Sequence, residues 1–277
     1  MELSVDGRRV FGHTGGRPFE PHGPVLLLLH GAGCDHTMWG MQTRWFAHHG
    51  FAVLALDLPG HGRSEGAPPA TIDDYAAWLW RAAAAAGVPE TAKVALAGHS
   101  MGSLIALAAA GAAPQRVAAL SLLGASAHMQ VHPDLVAAAE ANDASAFAAI
   151  TDWGYGRAAH IGGHQAPGLW FGGGSRALLA TSRADVLAAG LVACDAYTGG
   201  PHAAARITCP TQFLVGAGDR MTPPRSIRPL VAALDAAGIA ARVDTLPDTG
   251  HMIMVERPNE TIDLLADFLQ PVMAAAA

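Results

Sequence analysis

Gly98-His99-Ser100-Met101-Gly102 sets a serine between glycines two positions to either side, after the apolar run Lys93–Ala97 and before the helical stretch Met101–Ala113. A serine on a sharp strand-to-helix turn presents its hydroxyl outward, and the flanking glycines let helix and strand approach closely. The same turn aims the Met101 amide, at a helix N-terminus, toward an oxygen on the carbon that Ser100 would attack, which is half of an oxyanion hole. A hydroxyl is a weak nucleophile at neutral pH, so it needs a base, and the base needs a partner that fixes its tautomer. Among the 14 histidines, His251 meets the requirement: Asp248-Thr249-Gly250-His251-Met252 follows the last expected strand, at the carboxyl edge where the serine turn opens. Asp219, after Gly216-Ala217-Gly218, is the expected acid and completes the chain order Ser, Asp, His. Asp248 is the alternative, although a carboxylate three residues before His251 must fold back to reach its ring. Ala32, in His30-Gly31-Ala32-Gly33, is expected to offer the second oxyanion amide, with Gly33 as the other choice.

These residues need a scaffold that brings distant loops to one edge. Val25–Leu29, Ala52–Leu56, Lys93–Ala97, Val117–Leu123 and Thr211–Val215 are continuously apolar, as strands buried on both faces are. Met38–His49, Thr71–Ala86, Met101–Ala113 and Pro224–Ala237 fall between them as helices, so the rhythm is that of an α/β fold, a mostly parallel sheet with helices on both faces. Thr71 and Asp74 form a capping pair, Arg8–Gly12 reads as an antiparallel edge strand, Arg242–Leu246 as the last strand, and Pro258 as the first turn of the final helix. Residues 1–124 and 202–277 are thus read as one core. Residues 125–201 break the rhythm: Gly162, Gly163 and Gly172–Gly174 interrupt short helical pieces, and the segment reads as an inserted, mainly helical lid that can move.

The substrate site is expected to be lined by Gly31, Gly33, His99 and Met252 from the core and by Trp153 and Trp170 from the lid, with Tyr155, Leu169, Phe171 and Leu178 extending an apolar pocket. Arg157, Arg176 and Arg183 are expected to face solvent, which favours a neutral, apolar ester or lactone; one of them turned inward would favour a carboxylate-bearing substrate. His30, His61 and His99 are expected to be structural or pocket-lining.

Composition narrows the partners. Hydrophobic residues are 51% and charged residues 14% of the 277, which argues against disorder, and a net charge of −6 with Lys93 as the sole lysine argues against nucleic acid. The most apolar region, 101–127, is broken by Pro114-Gln115-Arg116, so no membrane span is expected. Three cysteines, Cys34, Cys194 and Cys209, have neither disulfide-framework nor metal spacing. They point to free thiols in a reducing compartment; with no export signal at the start, the cytoplasm is the expected location. The chemistry outlined requires no metal and no cofactor.

The His30–Gly33 turn, Asp57-Leu58-Pro59-Gly60-His61-Gly62-Arg63-Ser64, the serine turn, Gly216–Asp219 and Gly250-His251 together resemble the α/β-hydrolase superfamily, serine-nucleophile branch, over nearly the whole chain outside the lid. The resemblance implies a shaped loop, and no catalytic role, for Asp57–Ser64. Serine at the nucleophile position separates the chain from the dehalogenases and epoxide hydrolases of this fold, which use aspartate. Ring-cleavage carbon–carbon hydrolases usually place Pro-Gly after the first glycine turn, where this chain has Cys34-Asp35. The stretch from Ala32 through Met38-Trp39 and Gln42 is more similar to enol-lactonases and small esterases. The expected reaction is therefore cleavage of an ester or lactone through an acyl-enzyme; the alternatives are carbon–carbon bond hydrolysis, acyl transfer or lyase chemistry on the same residues, or a slow-turnover ligand receptor.

Overall fold

The apolar runs are strands because their branched and leucine side chains fill both faces of a covered sheet, and every residue of Val25–Leu29 and Val117–Leu123 is buried. In the computed structural model, which describes residues 1–160 and 169–276, the strands are β1 (Glu2–Val5), β2 (Arg8–His13), β3 (Val25–Leu29), β4 (Ala52–Leu56), β5 (Val94–His99), β6 (Val117–Leu123), β7 (Thr211–Gly216) and β8 (Arg242–Leu246). They form one sheet in the order β1-β2-β4-β3-β5-β6-β7-β8. The β1–β2 and β2–β4 pairs are antiparallel and the rest are parallel. The Arg8–Gly12 stretch is not the edge, as its sequence suggested. It lies second, because Asp6 and Gly7, both at positive φ (53° and 73°), make a hairpin turn that folds β1 onto its outer side.

Helices α1 (Gly40–Ala47), α2 (Ile72–Ala85) and α3 (Met101–Ala112) connect the central strands, and α4 (Pro133–Glu140), α5 (Ala144–Gly154), α6 (Arg157–His160), α7 (Phe171–Thr181), α8 (Ala184–Ala196) and α9 (Gly200–Ala204) lie between β6 and β7. The C-terminal part adds α10 (Arg228–Ala236), α11 (Ile253–Glu256) and α12 (Pro258–Ala276). The Thr71 hydroxyl caps α2, accepting from the Asp74 amide at 3.1 Å. Gly162 and Gly163 lie outside the described residues. Gly172–Gly174 do not interrupt a helix but open α7, and the reason is local: a Cβ on Gly173 would come within 2.2 Å of the Trp170 ring folded over that first turn. No single described helix is long and apolar enough to cross a membrane; α7 and α8 together are, but they bend by 103° at their junction.

The chain runs from β3 outward to β4 and then crosses back to β5 on the other side of β3. The strand order therefore reverses between β3 and β5, and the loops leaving their carboxyl ends diverge to leave a crevice. A buried aspartate stabilises the loops on one flank. Asp57, at the end of β4, accepts the His36 amide (2.7 Å) and ring Nδ1 (2.8 Å) on one oxygen and the Arg63 amide (2.8 Å) on the other. Its main-chain carbonyl accepts the Ser64 hydroxyl, which in turn accepts the Phe11 amide of β2. Burial opposes ionisation of Asp57, yet these hydrogen bonds and His30 outweigh it and hold the carboxyl below the usual range.

Asp57→Asn leaves an amide N–H₂ facing a donor, and the fold should lose about 1–3 kcal/mol near neutral pH. Because the folded carboxyl titrates below its unfolded value of about 4, the native advantage is present above that value and disappears as pH falls through the folded one. Urea unfolding of both proteins across pH should show a constant gap above about pH 5 that closes on further acidification; a gap independent of pH contradicts this role for the ionised carboxylate.

Candidate active site

Ser100 sits at φ 53°, ψ −120°, a strained region for a residue with a side chain, between the end of β5 and the start of α3. The two glycines make that turn possible in different ways. A Cβ on Gly98 would lie 2.1 Å from the Gly102 carbonyl oxygen, and a Cβ on Gly102 would lie 2.3 Å from the Leu29 carbonyl oxygen of β3. One admits the first turn of α3 over β5; the other seats α3 against β3. The Ser100 amide is held by the Leu123 carbonyl at 3.0 Å, and the Ser103 hydroxyl donates to the Ser100 carbonyl at 2.6 Å. Met101 is the first residue of α3, where amides have no intrahelical acceptor. Gly31 and Ala32 follow β3 in the adjoining turn, and Gly31 lacks a Cβ because one would press on Ser100 at 3.2 Å.

The His251 ring comes from the loop after β8. Its Nδ1 lies 2.8 Å from Asp219 Oδ2 and 3.0 Å from the Thr222 hydroxyl. Asp219 also accepts the Met221 and Thr222 amides on Oδ1 (2.8 and 2.9 Å) and the Thr222 hydroxyl on Oδ2 (2.8 Å). A carboxylate accepting at Nδ1 requires the proton there, so Nε2 carries the lone pair. That Nε2 is buried and has no hydrogen-bond partner among the described residues. Burial opposes the Asp219 charge, but His251 and the surrounding donors overcome it and its carboxyl is held below the usual range. Asp248, the alternative acid, is exposed at φ 50°, while His251 Nδ1 is engaged by Asp219.

The other histidines of the crevice are scaffolding. His99 Nε2 donates to the His251 carbonyl at 2.9 Å, and burial together with the neighbouring His251 pushes its pKa down to about 3, so it is a neutral tether for the loop that carries His251. His30 Nδ1 donates to the Gly31 carbonyl at 2.8 Å while its Nε2 accepts the Leu58 amide at 3.1 Å, which links the turn after β3 to the chain beyond β4. Burial likewise pushes His61 to about 3. Asp35, His36 and Asp57 are the one group of described residues whose donor atoms lie close enough for a metal. The hydrogen bonds to Asp57, and the Thr37 amide on Asp35 at 2.8 Å, occupy these carboxylates instead.

Ser100, His251, His99, Gly31, Ala32, Met252 and Trp153 line one cavity of about 170 Å³ whose other walls include Leu135, Ile150, Leu187 and Leu191 from the segment between β6 and β7. Several of the expected lining residues lie elsewhere. Trp170 is 71% exposed and, with Tyr155, Leu169, Phe171 and Leu178, borders a separate depression. Gly33 lies outside the cavity under Leu179 and Leu187, at φ 70°, where a side chain would clash at 2.8 Å. Arg157, Arg176 and Arg183 are all exposed; Arg176 pairs with Asp152 and Arg183 with Asp185, each at 2.8 Å.

The segment is tied to the loop that carries His251. The Gly154 carbonyl accepts the His251 amide (2.7 Å) and the Met252 amide (3.1 Å), and buried Glu256 accepts the Gly156 amide at 2.9 Å and the Gly250 amide at 3.0 Å. Burial raises the Glu256 carboxyl against the effect of these amides. Thr222, Glu256 and Gly124 are site residues that the sequence reading missed. For Thr222 a signal existed, a hydroxyl three residues after an aspartate, the spacing of a local side chain–backbone turn. Gly124 ends β6 at φ 55°, and a Cβ there would sit 2.9 Å from the His251 ring.

Residues 26–264 match the alpha/beta hydrolase family, and the chain belongs to it. A pimeloyl-[acyl-carrier protein] methyl ester esterase of Aromatoleum aromaticum is 28% identical over 263 residues, covering 89% of this chain and 98% of that protein. The dihydrolipoyllysine-residue acetyltransferase component of the acetoin cleaving system of Pseudomonas putida is 40% identical over 156 residues, but the match spans 51% of this chain and only 38% of that protein. The crystal structure of an enol-lactonase from Burkholderia xenovorans LB400 superposes with a TM-score of 0.83 at 24% identity, over 98% of this chain and 100% of the other, a likeness of fold.

Gly124→Ala should displace the His251 ring. Misplacement by about 1 Å costs roughly 10²-fold in turnover, so kcat for an activated ester should fall on that order while a far-ultraviolet melt remains cooperative. Wild-type kcat in Gly124→Ala would show that the imidazole does not depend on this contact.

Proposed function

We propose that the protein hydrolyses a carboxylic ester or lactone through an acyl-enzyme on Ser100, with His251 as base and Asp219 as the acid that orients it. The observation that carries the reading is the buried His251 Nε2, left without a partner in the cavity that Ser100 enters, while Nδ1 is committed to Asp219. In the first step Ser100 Oγ bonds to the carbonyl carbon and its proton passes to His251 Nε2. The Met101 and Ala32 amides receive the oxyanion, and collapse releases the alcohol, protonated by the same nitrogen. Water, deprotonated by His251, then releases the acid and restores Ser100. The thiols do not compete for the nucleophile's role: burial pushes Cys34 and Cys194, which also line the cavity, up to about 12, so they stay protonated.

The esterase and enol-lactonase names among the relatives agree with ester chemistry. Apolar walls fit an apolar acyl or alcohol portion. Residues 125–201 serve as the lid that closes over it. Buried, unpaired Cys34, Cys194 and Cys209 suit a reducing compartment, the cytoplasm.

Ser100→Ala should keep the wild-type melting temperature within a few degrees and lose all but about 1% or less of kcat on p-nitrophenyl esters. A fluorophosphonate probe should label Ser100 in the wild type alone. Asp219→Asn should cost up to about 10⁴-fold and Asp248→Asn far less; the reverse order would move the acid to Asp248, and full activity in Ser100→Ala would end the serine mechanism.

A further inference from the structure

Apolar side chains make up most of the cavity wall, and a single arginine, itself exposed, joins them. Arg220 follows Asp219 on the turn after β7, so the same turn whose Met221 and Thr222 amides clamp the Asp219 carboxylate also sets Arg220 at the cavity wall. It is the one arginine, lysine or carboxylate among the described cavity-lining residues. One guanidinium nitrogen donates to the Asp152 carbonyl near the end of α5, which anchors the group beside Trp153. The Asp152 carboxylate does not neutralise it, since that side chain is paired with Arg176 at 2.8 Å. No described carboxylate lies within ion-pair distance of Arg220, and a guanidinium has five N–H donors of which the Asp152 carbonyl takes one. Arg63, Arg81, Arg176, Arg183 and Arg242 each face an acidic partner. A fixed positive fork held open on the wall of an apolar cavity matches a planar anion at the end of an apolar chain.

We propose that Arg220 grips a carboxylate borne by the substrate at the end remote from the scissile carbonyl, so that the substrate class is an ester or lactone that is also an acid. This rests on the reading of Ser100 as nucleophile and deepens it: the outward arginines of the α4–α9 segment do not supply the charge, and a residue of the core does. Mono-p-nitrophenyl esters of linear dicarboxylic acids, compared with p-nitrophenyl esters of monocarboxylic acids of equal carbon count, give the ratio of kcat/KM for charged over neutral substrate. Because Arg220 is exposed to solvent, the preference should be modest, roughly tenfold, carried mainly in KM and weakened by salt. It should fall to about one in Arg220→Ala, survive in part in Arg220→Lys, and stay at the wild-type value in Arg183→Ala, whose partner is Asp185. A ratio near one in the wild type at every chain length, or a preference that Arg220→Ala retains, overturns the proposal. Calorimetry on Ser100→Ala protein, with the monomethyl ester of the preferred diacid against the methyl ester of the matching monoacid, separates the two readings. If no ester is turned over, the serine hydrolase reading fails, while tighter binding of the charged ester that is lost on adding Arg220→Ala still upholds the anion site, and equal binding refutes it.

Discussion

The backbone of Ser100 is the constraint on which the rest of the site depends. A serine at φ 53° costs of order 1–3 kcal/mol, and such a conformation persists only where its surroundings over-determine it. Here β5 is fixed between β3 and β6, the Ser100 amide is bonded to the Leu123 carbonyl, and Gly98 and Gly102 permit approaches of a little over 2 Å between a notional Cβ and neighbouring carbonyls. The sheet and α3 close around the turn and leave it no lower-energy alternative. One result is an outward hydroxyl. A second is that the first residue of α3 and the turn after β3 both border it, a Cβ on Gly31 lying 3.2 Å from Ser100.

Around that turn the neutral histidines and buried carboxylates divide the labour by environment. His99 is held neutral by burial and fastens the His251 loop through the His251 carbonyl. Asp219 is ionised because donors surround it, and it fixes the His251 tautomer. Glu256 and the Gly154 carbonyl join the His251 loop to the end of α5, so the wall of the cavity and the position of the imidazole are set by one set of hydrogen bonds. Displacing that wall withdraws the acceptor of the His251 amide. Cavity shape and imidazole geometry are thereby coupled.

Much of this was legible in the sequence because it depends on local chemistry. Continuous apolar runs identify the parallel strands, and the Gly-x-Ser-x-Gly turn between strand and helix marks its own geometry. The four-residue β1 escaped because its alternation is too short to register. Trp170 was misplaced for a different reason: apolar character says that a side chain seeks cover, not which surface covers it, and here its ring folds over Gly173 of its own helix. Gly124 and Arg220 matter only through neighbours distant in sequence, the His251 ring and the Asp152 carbonyl, so no pattern around them could announce it. Chain order already favours Asp219 over Asp248, and the fold sets Asp219, not the exposed Asp248, 2.8 Å from His251 Nδ1.

The proposed chemistry passes through a covalent intermediate on one side chain. Rapid acid quench of the wild-type protein during turnover of an activated ester, followed by intact-mass and peptide mass spectrometry, tests it most directly. The expected result is a single acyl increment per chain, located on Ser100, that forms with the first equivalent of alcohol and decays with steady-state turnover. Product formation with no adduct, or an adduct on Cys34, Cys194 or any other residue that forms and decays at the rate of turnover, would contradict it.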